Sequence, residues 1–154
     1  MSVRERTSWI AVITTLVIWS YYFGRFWTDT LAGRIDGTGI RDLFIICMVI
    51  SVVIMLGLAI AMSIAARRAM DAPPDEMERQ IEARADSIGF KLLELLVPVL
   101  LIGGLLGVDA IRSSFPADPA GSVAIIFANG VLMAMVVVEL VREGVKIVLF
   151  RISA

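Results

Sequence analysis

The side chains that could do chemistry in this sequence are two glutamates and two basic residues, each in or beside a long apolar segment. Glu94 lies one helical turn into such a segment, and Glu139 lies near the end of the last one, followed by Arg142 and Lys146. Carboxylates inside a bilayer can carry protons or ions, and a converging pair could act as general acid and base. The nearby basic residues Arg142 and Lys146 favour neutralisation of these carboxylates instead. We therefore expect a structural ion pair from Glu94 to Arg142 or Lys146, rather than an ion or proton site.

The rest of the composition excludes several other kinds of site. The sequence contains no histidine, and its one cysteine, Cys47, lies within an apolar run. Zinc sites, Cys/His nucleophile pairs and disulfide frameworks are therefore not expected. Asp109 and Asp118 lie across the predicted membrane from Glu94 and Glu139, so we expect no catalytic carboxylate pair, no metal, no cofactor and no enzymatic activity. A net charge of −1 offers no basic surface for direct nucleic-acid binding.

The elements that must position these residues are four long apolar segments. Hydrophobic residues make up 58% of the 154-residue chain, and they are concentrated in blocks near the length of about 20 residues that a helix needs to cross a bilayer. The blocks cover residues 8–24, 43–66, 91–108 and 122–141. The sequence therefore predicts an all-α integral membrane protein, a four-transmembrane-helix bundle that forms a single membrane domain over residues 1–154.

The distribution of Lys and Arg sets the predicted orientation. Ten of the fourteen lie before the first span, in the connection between the second and third spans or at its edge, or after the fourth span. These ten are Arg4, Arg6, Arg67, Arg68, Arg79, Arg84, Lys91, Arg142, Lys146 and Arg151. Four spans place these three regions on one side, and the excess of basic residues identifies that side as the cytoplasm. We expect a multi-pass protein with cytoplasmic N- and C-termini.

The most polar stretch of the chain, residues 74–86, connects the second and third predicted spans. Two prolines precede it, and Asp75 followed by Glu78 resembles a capping box that opens a helix. A narrow apolar stripe follows at intervals of three and four residues, formed by Met77, Ile81, Ala85 and Ile88. We predict a cytoplasmic amphipathic helix over residues 75–90 that continues into the third span. The stripe either rests on the bundle or contacts another protein or another copy. The many carboxylates of the helix disfavour contact with a surface of anionic lipid.

The same stretch carries a family resemblance. The motif D-E-x-E-R-x-I-x-x-R at residues 75–84, followed by Gly89 and Phe90, resembles the cytoplasmic signature of small, uncharacterised bacterial membrane proteins with about four spans. Met77 stands where that pattern usually has arginine, and the motif covers some sixteen residues. The resemblance implies a location in a bacterial inner membrane. Because members are often encoded beside a helix-turn-helix repressor, it also implies a regulatory or sensory role.

Small and polar residues within the spans predict how the helices pack. Asn129 is a strong hydrogen-bonding amide at mid-membrane, and we expect it to bond to a neighbouring helix. Close helix packing is predicted at two small-xxx-small series, formed by Gly57, Ala61 and Ala65 and by Gly103 and Gly107. Such faces pack within one chain or between two copies, so a homodimer stays open. Pro98 is predicted to kink the third span or to be accommodated there.

Two functions fit these features. The favoured one is a non-enzymatic accessory or regulatory component in the lipid bilayer, which acts on a cytoplasmic or membrane protein partner through contacts of the 75–90 helix. The alternative is a small oligomeric transporter or channel. The charge distribution disfavours the alternative, because the first two spans contain no Asp, Glu, Lys or Arg and the charged residues of the other two spans lie at one edge.

Overall fold

The structure, a computed structural model, describes residues 3–65 and 76–152. They form four helices: α1 (Val3–Leu31), α2 (Gly37–Ala65), α3 (Glu76–Ser114) and α4 (Pro119–Ile152). All four are long enough and apolar enough to cross a membrane, and the described chain outside them consists of short connections. Each predicted span lies inside one helix, apart from Ala66, which is outside the described residues. The all-helical prediction is therefore confirmed.

The helices pack in the order α2, α1, α4, α3. α1 contacts both α2 and α4, and α4 contacts both α1 and α3. Neighbours are antiparallel, so the connections 32–36 and 115–118 lie together at one end, which we call the short-loop end. The start of α3 and the finish of α4 lie at the opposite end, which we call the long-helix end. α2 and α3 are thus the outer helices of the arrangement, and their apolar faces are largely exposed.

Local signals in the sequence explain the ends of α1 and α2. Gly33 adopts a φ of 71°, and the bonds from its amide to the Thr30 carbonyl and from the next amide to the Asp29 carbonyl form a Schellman motif that closes α1. Asp36 then caps α2 by accepting hydrogen bonds from the Thr38 hydroxyl, at 2.6 Å, and the Thr38 amide, at 3.1 Å. The hydrogen bond from the Thr38 hydroxyl is the main reason that the pKa of Asp36 lies below its ordinary value.

The second turn at the short-loop end repeats this chemistry. Asp118 caps α4 by accepting a bond from the Gly121 amide at 2.9 Å, and Pro119 occupies the first helical position. A Cβ on Gly121 would collide with the Asp118 carboxylate. Glycine at position 121 therefore lets the Asp118 carboxylate lie close against the start of α4, and this contact fixes the connection 115–118 to the helix.

α3 is a single helix of 39 residues that joins the predicted cytoplasmic helix to the predicted third span. Pro98 lies inside α3 without ending it. At about 1.5 Å per residue, α3 is about 58 Å long, roughly twice the hydrocarbon thickness of about 30 Å. The length of α3 therefore exceeds the thickness of a hydrocarbon layer by some 30 Å. Asp75, the first half of the predicted capping box, lies outside the described residues.

The core lies between α1, α2 and α4. Trp19, Tyr22 and Cys47 form its buried centre, and the Trp19 and Tyr22 rings meet edge to face with centroids 5.6 Å apart. Phe26 stacks beside Tyr22 and is equally buried. Phe44 of α2 packs against both Trp19 and Tyr22, which joins α2 to α1. The aromatic residues of α1 therefore hold the helices together.

Candidate functional site

The first turns of α3, residues 76–90, rest on the last turns of α4. Ile81 and Ala85 are 5% and 0% exposed, and Gly89 is buried beside them. A Cβ on Gly89 would lie 3.6 Å from side-chain carbons of Val138 and Arg142, so the α3 backbone approaches α4 closely at this point. One face of the 76–90 segment is therefore fixed within the chain.

The four predicted partner-contact residues divide into two pairs. Ile81 and Ala85 are buried within the chain, so their side chains are not available to a partner in this structure. Met77 and Ile88 are 42% and 41% exposed and lie at the edge of the covered face. A helix stripe of this width has a centre and two margins, and α4 covers only the centre. Contacts with a partner therefore have to use the margin and the opposite face.

An open groove lies along one margin of the covered face of the 76–90 segment, beside α4. Its volume is about 440 Å³, and α4 contributes Leu149 to it. The α3 side chains along it are Met77, Gln80, Ile81, Ala83, Arg84 and Ser87. Leu149 and the edge of Ile81 make the groove partly apolar, and Gln80, Arg84 and Ser87 line it with polar groups. This combination suits an amphipathic segment of another protein.

A cluster of charges fixes the long-helix end of α4. Lys146 Nζ lies 2.7 Å from Glu143 Oε1, and Arg142 Nη2 lies 3.0 Å from Glu139 Oε1 and 3.3 Å from Glu143 Oε1. Ser8 of α1 hydrogen-bonds to Glu143, which is itself buried. The cluster thereby joins α1 to α4 and neutralises its own carboxylates. This arrangement suits a structural role, because its acids are already paired.

The predicted pairing of Glu94 with Arg142 or Lys146 is wrong. The residue of α3 that approaches Arg142 is Asp86, whose Oδ1 lies 3.8 Å from Arg142 Nε. Gly89 lies level with Arg142, so Glu94 lies more than one turn farther along α3, where its side chain is exposed. The antiparallel register of α3 and α4 decides this pairing, and neither helix shows that register in its own sequence. Glu139 does take part in the charge cluster, as an ion-pair partner of Arg142.

Asn129 lies at the centre of the contact between α1 and α4. Its Oδ1 accepts a hydrogen bond from the Tyr22 hydroxyl at 2.6 Å, and its Nδ2 donates to the Ile125 carbonyl at 2.9 Å. Tyr22 and Asn129 are 1% and 6% exposed, so this is a bond between two buried groups. Sequence reasoning expected an interhelical bond from Asn129 without naming Tyr22. Tyr22 lies in an aromatic run, and such runs are typical of the membrane–water interface, so the sequence alone does not identify it as a core residue.

The predicted small-residue series lie mostly on uncovered surfaces. A Cβ on Gly57 or Gly103 would meet nothing within 4 Å, and one on Gly107 would meet only Ile111 of its own helix. Ala61 is exposed, and the side chain of Ala65 lies outside the described residues. The close approach of α3 to α4 instead uses Gly104, where a Cβ would lie 2.8 Å from the Phe127 ring. Neighbouring helix positions differ by about 100°, so Gly104 and Gly103 face different surroundings.

The described residues offer little metal or redox chemistry. No group of three or more His, Cys, Asp or Glu side chains converges among residues 7–65 and 76–152 in a way that could hold a metal ion. Cys47 is buried in the aromatic core as a free thiol. No protein-family model, curated protein or solved structure matches the chain.

Proposed function

We propose that this protein is a non-enzymatic component of a bacterial inner membrane that acts through protein contacts of the 76–90 segment, as an accessory or regulatory subunit. The supporting observation is that α4 fixes one face of this segment while an exposed groove runs along the margin of that face. A helix held in this way presents its outer face in one orientation. Binding to it needs little further ordering of the helix, which favours recognition by a partner.

The length of α3 supports a cytoplasmic position for the segment. The apolar part of α3, from residue 91 onward, is long enough to cross the bilayer by itself. The first turns, with Arg79 and Arg84, then extend into water. The basic residues concentrated at this end favour the cytoplasmic side, with both chain termini on that side as well.

The groove specifies the chemistry of the partner. An apolar side chain of the partner fits against Leu149 and the exposed edge of Met77, because both offer apolar surface. Arg84 lies on the groove wall and is exposed, so an acidic side chain of the partner complements it. The expected partner surface is an amphipathic helix with a carboxylate beside an apolar anchor.

Site-specific photo-crosslinking tests this proposal. A photoreactive residue at Gln80 lies in the groove, and the same residue at Ala85, which is fully buried and does not line the groove, serves as the control. The full chain is expressed in its native membrane, and the adducts are identified by mass spectrometry. We expect one partner protein at Gln80, its loss when Arg84→Glu is added, and only intramolecular adducts at Ala85.

Other outcomes have defined meanings. Adducts between two copies at Gln80 would make the segment a self-association surface, so the partner would be a second copy. Intramolecular adducts alone at Gln80 would contradict the contact function. Flux of an ion or solute through proteoliposomes of the purified protein would then support the alternative of a transporter or channel.

A further inference from the structure

A second cavity lies at the short-loop end, far from the 76–90 segment. It lies between the last turns of α1 and the first turns of α2 and has a volume of about 650 Å³. Sites for small molecules commonly have volumes of about 300–1,000 Å³. Tyr22 and Phe26, both fully buried, contribute to its floor, and Ile40 and Leu43 of α2 form the facing wall. The deep part of the cavity is therefore apolar and aromatic.

The charged groups at the mouth of the cavity are not equivalent. Asp29 lies 3.2 Å from Arg25 Nε and is thereby paired, and Asp36 accepts the capping bonds of α2. Arg34 lines the same mouth and is exposed. Within the described ranges 3–65 and 76–152, its guanidinium has no hydrogen-bond or ion-pair partner. The charged group at the mouth that can still bind a ligand is therefore the Arg34 guanidinium, and the ligand that it attracts is an anion.

The proposed membrane threading places the cavity within reach of lipid headgroups. Exposed Tyr21 lines the cavity, and Trp27 lies near it on α1; both are residue types that concentrate at the membrane–water interface. An anionic head paired with Arg34 then leaves an apolar chain to lie against Leu43 and the aromatic floor. Neither a purely polar anion nor a neutral hydrocarbon would satisfy both parts of the cavity.

We propose that this cavity binds an amphiphilic anion, with its phosphate or carboxylate on Arg34 and its apolar chain on the floor between α1 and α2. The ligand is either an anionic phospholipid of the adjacent leaflet or a soluble amphiphile with the same chemistry. The site does not depend on the function of the 76–90 segment. Its floor residue Tyr22 also donates the hydrogen bond to Asn129 of α4, so a bound ligand contacts a residue that joins α1 to α4.

Native mass spectrometry of the full chain, released from neutral detergent micelles, measures this binding. The four probes are dioleoyl phosphatidylglycerol, dioleoyl phosphatidylcholine, oleate and glycerol phosphate. We expect the anionic probes with chains to bind more tightly than phosphatidylcholine, and glycerol phosphate to bind weakly because it cannot use the floor. Preference for phosphatidylglycerol over oleate identifies a membrane lipid as the ligand, and the reverse preference identifies a soluble amphiphile.

Three variants locate the site. Arg34→Gln is expected to weaken binding of the preferred anionic probe about five- to tenfold, since one charge-assisted contact at an exposed mouth is lost. Arg112→Gln is the matched control, because Arg112 is also an exposed arginine at the short-loop end but does not line the cavity. Thr28→Trp fills the cavity from its exposed wall, leaves Arg34 in place, and is expected to weaken binding as well.

Two results would overturn the proposal. Equal losses in Arg34→Gln and Arg112→Gln would show that surface charge alone attracts the probe. Equal affinities of the unaltered protein for phosphatidylglycerol and phosphatidylcholine would show that the mouth does not select an anion. Thermal unfolding of each variant, compared with the unaltered protein, separates a loss of binding from a loss of folding.

Discussion

The hydrogen bond between Tyr22 and Asn129 is expected to be one of the strongest single polar contacts between α1 and α4. Tyr22→Phe keeps the buried ring and removes only the hydroxyl, which lies 2.6 Å from Asn129 Oδ1. Side-chain hydrogen bonds between membrane helices contribute about 0.6 kcal/mol on average and up to about 1.7 kcal/mol. An unsatisfied buried acceptor costs about 1–3 kcal/mol. We therefore expect Tyr22→Phe to lower the free energy of unfolding by about 1–2 kcal/mol.

A double-mutant cycle isolates the bond from other effects of the substitution. Asn129→Leu leaves the Tyr22 hydroxyl without its acceptor, whereas the double variant removes donor and acceptor together. Replacement of both partners by apolar groups of similar shape can be nearly neutral, so the double variant should be less destabilised than the sum of the single variants. We expect a coupling free energy of about 1 kcal/mol. Tyr21→Phe is the control: it alters an exposed neighbour and should change stability by less than about 0.5 kcal/mol.

The measurement is reversible unfolding in mixed micelles, in which an increasing fraction of denaturing detergent unfolds the helices and tryptophan fluorescence reports the transition. The tryptophan at position 19 packs directly on Tyr22, so its emission reports on this region of the core. A coupling free energy within about 0.3 kcal/mol of zero would refute the reasoning, because distant and independent sites reach that degree of additivity.

Three further predictions concern helix packing, the charge cluster and a helix cap. Gly103→Ala should raise the free energy of unfolding by up to about 1 kcal/mol, because the added Cβ meets open space. Gly104→Ala should give no such increase, or should lower the free energy of unfolding, because the added Cβ lies 2.8 Å from a phenylalanine ring of α4. The same unfolding assay should show a loss of roughly 2–4 kcal/mol for Glu143→Ala, which breaks a buried ion pair, and a change of less than about 0.5 kcal/mol for the exposed Glu94→Ala. The pKa of Asp36 is lowered in the folded protein, so the stabilisation that Asp36 contributes is full above its unfolded pKa and is lost as the pH falls through its folded pKa. Asp36→Asn should lack this part of the loss of stability when unfolding is measured between about pH 6 and pH 2.

The sequence predicts the helices more securely than their ends. The apolar blocks are long, so four helices follow from composition and length alone. The first block loses its apolar character after residue 24, yet α1 continues to Leu31, because the polar residues there still form helix until Gly33 takes a positive φ. Glycine in that position is a recognisable signal for a helix end. The start of α2 was similarly marked by Asp36, whose capping bonds fix the connection.

The candidate sites are harder to predict because they depend on register and on rotation about helix axes. Glu94 and Asp86 are both acids on α3, and only the antiparallel offset of α3 and α4 decides that Asp86 lies near Arg142. Gly103 and Gly104 are adjacent in sequence, and a rotation of about 100° decides which of them meets α4. The cavity at the short-loop end needs a third element, the turn that brings Arg34 to the mouth. A single helix sequence contains none of these relationships.

Thiol labelling of the two ends of α3 tests the proposed membrane threading most directly. Cys47→Ser removes the native thiol, and Gln80→Cys and Ser113→Cys are introduced one at a time at exposed positions near opposite ends of the helix. Spheroplasts, in which the inner membrane is intact, are treated with a membrane-impermeant maleimide before and after permeabilisation. We expect Ser113→Cys to react before permeabilisation and Gln80→Cys to react only after it. Reaction of both from the same side would contradict a spanning α3, and the reverse pattern would place the 76–90 segment outside the cytoplasm.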